Sequence, residues 1–321
     1  MKENLLQEVR DACRRVAERA VFVAIDHERL AGYAASLPVA LALRPQIDPE
    51  RHHLGHGPDT VAFFLTLDTI NFGSGYFHEL GLRPGQSGYF MVAGALTGHF
   101  RRHGPLAADR LRRLTAADCL ELFGQNPRSP TAAELMALFA AALNDLGSYL
   151  MEHFDGGFTS LVEAAGGRAA RLVELLTAMP GFRDVEDYHG LRVPFFKRAQ
   201  LTAADLAIAF DGRGWGRFTD QAELTLFADN LVPHVLRRDG VLIYRQDLAD
   251  RIEAGEPIPA GSAEEVELRA CAVHAVELLV AELHRLGHEV TAMGLDQLLW
   301  NRGQQPAYRV SPRHRTRTVF Y

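Results

Sequence analysis

With 321 residues, 47% of them apolar and 23% charged, the chain has the composition of a soluble globular protein long enough to bury a substantial core. A formal charge of −6 and a pI near 6.2 argue against an extended nucleic-acid footprint, which needs a basic face to displace counterions. No charged-then-apolar leader opens the sequence and no uncharged run reaches the roughly 18 residues of a membrane span, so a cytoplasmic protein that neither enters a membrane nor leaves the cell is expected.

Taken in chain order, the elements read as mostly helical. Leu5, Leu6, Val9, Cys13, Val16 and Ala17 recur at helical spacing and predict a first amphipathic helix up to about residue 24. YFMVAG (89–94) reads as a short strand, and the stretch from Pro84 to Gly88 before it as a loop. LTAADCLELF (114–123) predicts a short helix in which Thr115 caps and Asp118 follows three residues on. Thr131 with Glu134 forms a capping-box pattern before a long helix that ends at Gly156 and Gly157. RAARLVELLTAM (168–179) and LTAADLAIAF (201–210) predict further short helices, the second with Thr202 as its cap. VLIYR (241–245) reads as a strand without an obvious hairpin partner, and Gly255 to Gly261 as a break. Ser262 with Glu265 repeats the capping box before EVELRACAVHAVELLVAELHRL, which stops at Gly287. The expected architecture is mainly α, one compact helical domain over residues 1–321 with at most a few short strands. Cys13, Cys119 and Cys271 are odd in number and lie in apolar helical surroundings, so they read as buried free thiols in a reducing compartment.

Three acids stand in apolar, aromatic-rich strings: Asp68 in FFLTLDTINFGSGYF, Asp229 in LFADNLV and Asp296 in LDQLLWNRG. Such an acid loses hydration and keeps its charge only with compensating hydrogen bonds or a cation. Each alone is as readily a helix cap as a functional group; together they point to a pocket for a polar, ring-bearing ligand. Walker, GxGxxG, HExxH, CxxC and GxSxG patterns are all missing, so a hydrolase here must work through carboxylates. His52, His53 and His56 in RHHLGHG read first as solvated or locally bonded loop histidines rather than metal ligands. Lys197 and Arg198 follow two aromatics and precede an apparent helix start. An exposed KR corner is the ordinary reading, and a phosphate or carboxylate partner for Lys197 is the functional one. The closing RHRTRTVFY ends in apolar residues that predict docking on the body of the protein.

FLTLDTINFGSGYF, YHGLRVPFFKRAQLTAADL, LTLFADNLVPHVLRRDGVL, LDQLLWNRG and RHRTRTVFY, in this order, resemble the motifs of the queuosine salvage protein family across nearly the whole chain. The resemblance implies a helical fold similar to DNA glycosylases and cleavage of queuosine 5'-phosphate to queuine and ribose 5-phosphate, with no metal or organic cofactor. It places Asp229 at the catalytic aspartate, Phe227 at the aromatic that packs on the base, and Asp296 at a base-binding acid. Gln297 stands where many relatives have an aromatic and Asn301 where many have a second acid. His52 or His53 matches the family's early-loop histidine, with His53 the candidate ligand contact. Asn71 and Lys197 complete the candidate substrate-binding set.

Those residue types suit the chemistry. Cleaving an N-glycosidic bond develops oxocarbenium character that a carboxylate stabilises. In a 7-deazaguanine, the ring nitrogen that purine glycosylases usually protonate is carbon, so help for the departing base comes from hydrogen bonds to its guanine-like edge or protonation elsewhere. The leading expectation is therefore a cofactor-free nucleotide N-glycosidase that acts on a small molecule, without a stable nucleic-acid or membrane partner. The alternatives are a non-catalytic helical module that binds a modified base or nucleic acid, and a metal-dependent phosphohydrolase built on His52 to His56.

Overall fold

The computed structural model describes residues 4–82 and 87–321. Its longer helices, in chain order, are α1 (Leu5–Ala17), α2 (His27–Ser36), α3 (Pro58–Thr69), α4 (Gly88–His103), α5 (Pro130–His153), α6 (Ala169–Leu176), α7 (Lys197–Ala209), α8 (Leu231–Arg238), α9 (Gln246–Glu253), α10 (Ala263–Arg285) and α11 (Ala292–Gly303). The strands are β1 (Val23–Ile25), β2 (Val185–Tyr188), β3 (Leu191–Pro194) and β4 (Leu242–Tyr244), paired antiparallel as β1–β4 and β2–β3. The mainly α expectation, with only a few short strands, holds. The chain sorts into two compact units. The first gathers Met1–Pro45, Asp184–Lys197 and Ala222–Arg317, and the second Gln46–Arg183, Arg198–Gln221 and Thr318–Tyr321.

In the first unit α1 packs on α10, and α8 and α11 pack on each other. Leu6, Val9, Cys13 and Val16 form the buried stripe of α1, with Asn4 capping at Leu6 N. The helix stops at Ala17 rather than near residue 24 for a clear reason. Buried Glu267 accepts the backbone N–H groups of Val21, Phe22 and Val23 at 2.9, 2.6 and 3.0 Å, so these donors are withdrawn from a helical ladder. The chain then enters β1, whose partner β4 is more than two hundred residues away (Val23 opposite Tyr244). That separation is why VLIYR showed no hairpin partner in the sequence. The β2–β3 hairpin turns through His189 (φ 51°) and Gly190 (φ 82°), the two positive φ values of a tight two-residue turn. Ser262 caps α10 as predicted, accepting from Glu265 N at 3.3 Å; the Glu265 carboxylate reaches Gly261 N rather than closing a full box on Ser262.

The second unit centres on α3, where every residue from Thr60 to Thr69 is buried. α4 and α5 pack against it. The 89–94 segment is the start of α4 and not a strand. Ser87 caps Phe90 N, and Met91, Val92, Leu96 and Phe100 bury at helical spacing; a short apolar run without flanking context carries no distinct period. Pro84 to Gln86 of the expected loop lie outside the described residues. Thr115 and Asp118 form the predicted capping box. The long helix α5 begins instead at Pro130, capped by Ser129, and Thr131 and Glu134 bond outward to Glu79 and Tyr76. Thr202 is not a cap, because α7 already begins at Lys197 and the Thr202 hydroxyl donates to Arg198 O inside it. Tyr321 is buried, and its carbonyl accepts Gly73 N at 3.1 Å, so the chain end docks as expected. All three cysteines are buried free thiols, and no helix among the described residues is long and apolar enough to cross a membrane.

Candidate active site

The first unit builds its site from an irregular stretch, Leu224 to Asp229, that runs straight into α8. Leu224 through Ala228 are buried, whereas Asp229 is partly open to solvent. Pro233 removes one donor from the first turn of α8, and the amides of Leu231 and Val232 both go to Asp229 Oδ1, at 2.7 and 3.2 Å. Of the two sequence readings, cap or functional acid, the cap is the one seen directly. Oδ1 is tied to the helix N-terminus, and Oδ2 has no hydrogen-bond partner among the described residues. The neighbouring Asn230 is anchored by its side-chain N–H to His314 O at 3.2 Å, which lays the C-terminal segment alongside.

α11 supplies Asp296, 4% exposed, whose Oδ1 accepts the backbone N–H of Phe227 at 3.2 Å. Burial, then the charge of Asp229, push its pKa well above the ordinary carboxylate value, while the Phe227 amide and the charge of Lys197 oppose that rise. Asp229, Asp296 and Lys197 therefore sit within one electrostatic neighbourhood, with buried Phe227 two residues before Asp229 and bonded to Asp296. A Cβ on Gly294 would stand 2.3 Å from Ala42 O, so only glycine lets the first turn of α11 approach that backbone. Gln297 is half-buried and Asn301 exposed. Four residues apart on α11, they share a face more exposed than the one that carries Asp296.

Lys197 is the first residue of α7 and is 5% exposed, and Arg198 is 1% exposed, so the solvated corner does not exist. The Lys197 amide donates to Asp184 Oδ2 at 3.2 Å. Arg198 donates to the carbonyls of Thr69 and Gly181 within the second unit, its guanidinium near the rings of Phe72 and Phe182.

The remaining candidates belong to the second unit. His52 Nδ1 donates to Asp48 O and its Nε2 is hydrogen-bonded to Tyr89 OH, each at 2.8 Å. His53 is buried and stacked on His56 with 3.9 Å between ring centroids, beside Phe63 and Phe100; burial lowers its pKa. Among the described residues no three His, Cys, Asp or Glu side chains converge in the manner of a metal site. Asp68 is completely buried on α3, and its charge, with that of Asp205, adds to the burial that raises the Tyr89 pKa. Asn71 lies half-buried just after α3.

Two residues escaped the sequence reading. Arg269 on α10 is fully buried and pairs with Asp184 at 3.0 and 2.6 Å. Its signal was there, an arginine flanked by Leu268 and Ala270-Cys271-Ala272. Half-buried Arg313 lies close enough to Asp229 for that charge to oppose the fall that burial imposes on its pKa.

A model of the queuosine salvage protein matches residues 51–321. The chain belongs to the queuosine salvage protein family. A queuosine 5'-phosphate N-glycosylase/hydrolase from Sphaerobacter thermophilus is 39% identical to it over 96% of both chains. One from Mus musculus is 31% identical over 97% of this chain and 98% of its own, and one from Dictyostelium discoideum 34% over 82% and 78%. Every candidate residue from His53 to Asn301 lies within the stretch matched by the queuosine salvage model.

Proposed function

We propose that the protein hydrolyses the N-glycosidic bond of queuosine 5'-phosphate, releasing queuine and ribose 5-phosphate. Membership of the queuosine salvage family and the curated name shared by its relatives support the substrate. The observation that carries the chemistry is Asp229, one carboxylate oxygen immobilised by two backbone donors and the other open. Such a group is preorganised to face positive charge that develops only in the transition state.

In this reading the bond between the anomeric carbon and the base nitrogen breaks, and its electron pair leaves with the base. Asp229 Oδ2 stabilises the oxocarbenium-like sugar or adds to it before water does. Water supplies the hydroxyl to the sugar and the proton to the base, so the atoms balance. Phe227 offers a flat apolar surface to the 7-deazaguanine, and Asp296 meets its polar edge. Lys197 is assigned to the 5'-phosphate. The reading rests on neither Gln297 nor Asn301, and it assigns no step to His53 or Asn71.

Single-turnover release of queuine from queuosine 5'-phosphate, measured with and without a chelator, tests the proposal. Release that chelation leaves unchanged is expected. Tight binding of queuine without any release would instead favour a non-catalytic binding module, and activity abolished by the chelator would favour metal-dependent chemistry.

A further inference from the structure

Arg269 is fully buried, and its donors go to the Asp184 carboxylate, to the Ala228 carbonyl and, at 3.5 Å, to Glu265 Oε1 on its own helix. Its Nη1 and Nη2 grip both oxygens of Asp184, and its Nε donates to Ala228 O at 3.0 Å, the carbonyl just before Asp229. Asp184 hands the same constraint to the other side of the site. Its Oδ2 accepts Lys197 N at 3.2 Å, and its carbonyl accepts Phe195 N and Phe196 N at 2.9 and 3.2 Å. The guanidinium lies over the Phe195 ring, 3.9 Å from its centroid. Between these anchors Phe196 holds φ at 49°, a left-handed conformation that a bulky residue adopts only when its surroundings impose it.

We infer that Arg269, through its ion pair with Asp184, is a positioning residue that holds the acid Asp229 and the cation Lys197 in one rigid frame. The inference rests on the assignment of Asp229 and Lys197 to the reaction. A buried ion pair is poor value as a source of stability, since apolar side chains of similar volume pack as well without losing hydration. What an apolar pair lacks is direction. The planar fork of arginine offers donors at fixed angles, and here they meet a carboxylate and a carbonyl at once. A lysine ammonium keeps the charge but cannot span both acceptors in that geometry.

The test is a double-mutant cycle in which Arg269→Lys and Asp229→Asn are combined, with kcat, KM and thermal melting measured for each protein. Arg269→Lys alone is expected to lower kcat by about 100-fold, the effect of displacing a reacting group by about an ångström. In the Asp229→Asn background the same change is expected to cost less than about threefold, because a displaced carboxylate cannot matter once its charge is gone. Equal losses of kcat in both backgrounds would overturn the inference and leave Arg269 a fold-stabilising residue. Asp229→Asn turnover within tenfold of the parent would instead overturn the assignment of Asp229 itself. Should Arg269→Lys fail to fold, Asp184→Asn, which keeps its size and one acceptor oxygen, enters the same cycle with the same two outcomes.

Discussion

Asp296 accepts the Phe227 amide at 3.2 Å, so the residue proposed for the face of the base and the acid proposed for its edge are bonded to each other. The bond also fixes the backbone two residues before Asp229. A ligand that displaced Asp296 would pull on the segment that holds Asp229, the residue proposed to carry the reaction.

Asp229 caps α8 with one oxygen and is proposed to face the sugar with the other, and substitutions separate the two roles. Asp229→Asn keeps an oxygen for the Leu231 and Val232 amides while removing the charge. Ligand-induced melting shifts are expected to stay near those of the parent while single-turnover release of queuine falls by about 10³ or more. Asp229→Ala is expected to lose the same activity and, in addition, about 1 kcal/mol of stability from the lost helix cap, read by denaturant unfolding. Equal stability of the Asn and Ala proteins would deny the cap.

Asp296 gives a pH dependence with a definite sign. Its folded pKa is raised, so the native state holds a proton that the unfolded chain has released. Its contribution to stability is fully present below the ordinary carboxylate range and is lost as pH climbs through the raised folded value. Asp296→Asn, which has no proton to lose, is expected to become progressively more stable relative to the parent from pH 4 to pH 8. Parallel stability curves would contradict the shift. Queuine brings N–H donors that favour the ionised form, so its binding is expected to release a proton, measurable by calorimetry in buffers of different ionisation enthalpy.

Lys197 begins a helix, where the macrodipole disfavours a cation, and it is nearly buried there. Its amide donates to Asp184, its charge is felt by Asp296, and it is the cation proposed for the 5'-phosphate. Lys197→Met is expected to raise KM for queuosine 5'-phosphate far more than for the free nucleoside. Equal losses on the two substrates would assign Lys197 to structure alone.

Phe227→Leu preserves most of the buried volume and removes the ring. It is expected to weaken queuine binding by about 1–3 kcal/mol, the scale of base stacking on aromatic side chains, with a smaller change in melting temperature. Unchanged calorimetric affinity would remove Phe227 from the base site.

The burial of Asp296 and the short helix caps were legible because they depend on local dressing. Asp229 and Asp296 announced themselves as acids among apolar residues, and the helices with Thr115 and Ser262 caps followed from chemistry within four residues. What failed depended on distant partners. Glu267 ends α1 by reaching back across more than two hundred residues to Val21, Phe22 and Val23, and nothing near residue 17 foretells it. Arg269 looked like one charge in an apolar helix, because its meaning lies in Asp184 and Ala228. Lys197 was misread as lying before a helix start because the Thr202-Asp205 spacing copied the true cap at Thr115 and Asp118.

The first compact unit is assembled from three separated stretches of chain, the last of which carries α8, α10 and α11. On a ribosome, residues 4–45 emerge long before Glu267 exists to take the amides of Val21 to Val23, and before β4 exists to pair with β1. That early segment must wait with an open strand edge and an uncovered apolar stripe on α1, a setting that favours chaperone capture or misassociation. The stretch Gln46–Arg183 carries α3, with α4 and α5 packed against it within the second unit, and it can begin to collapse in the interval.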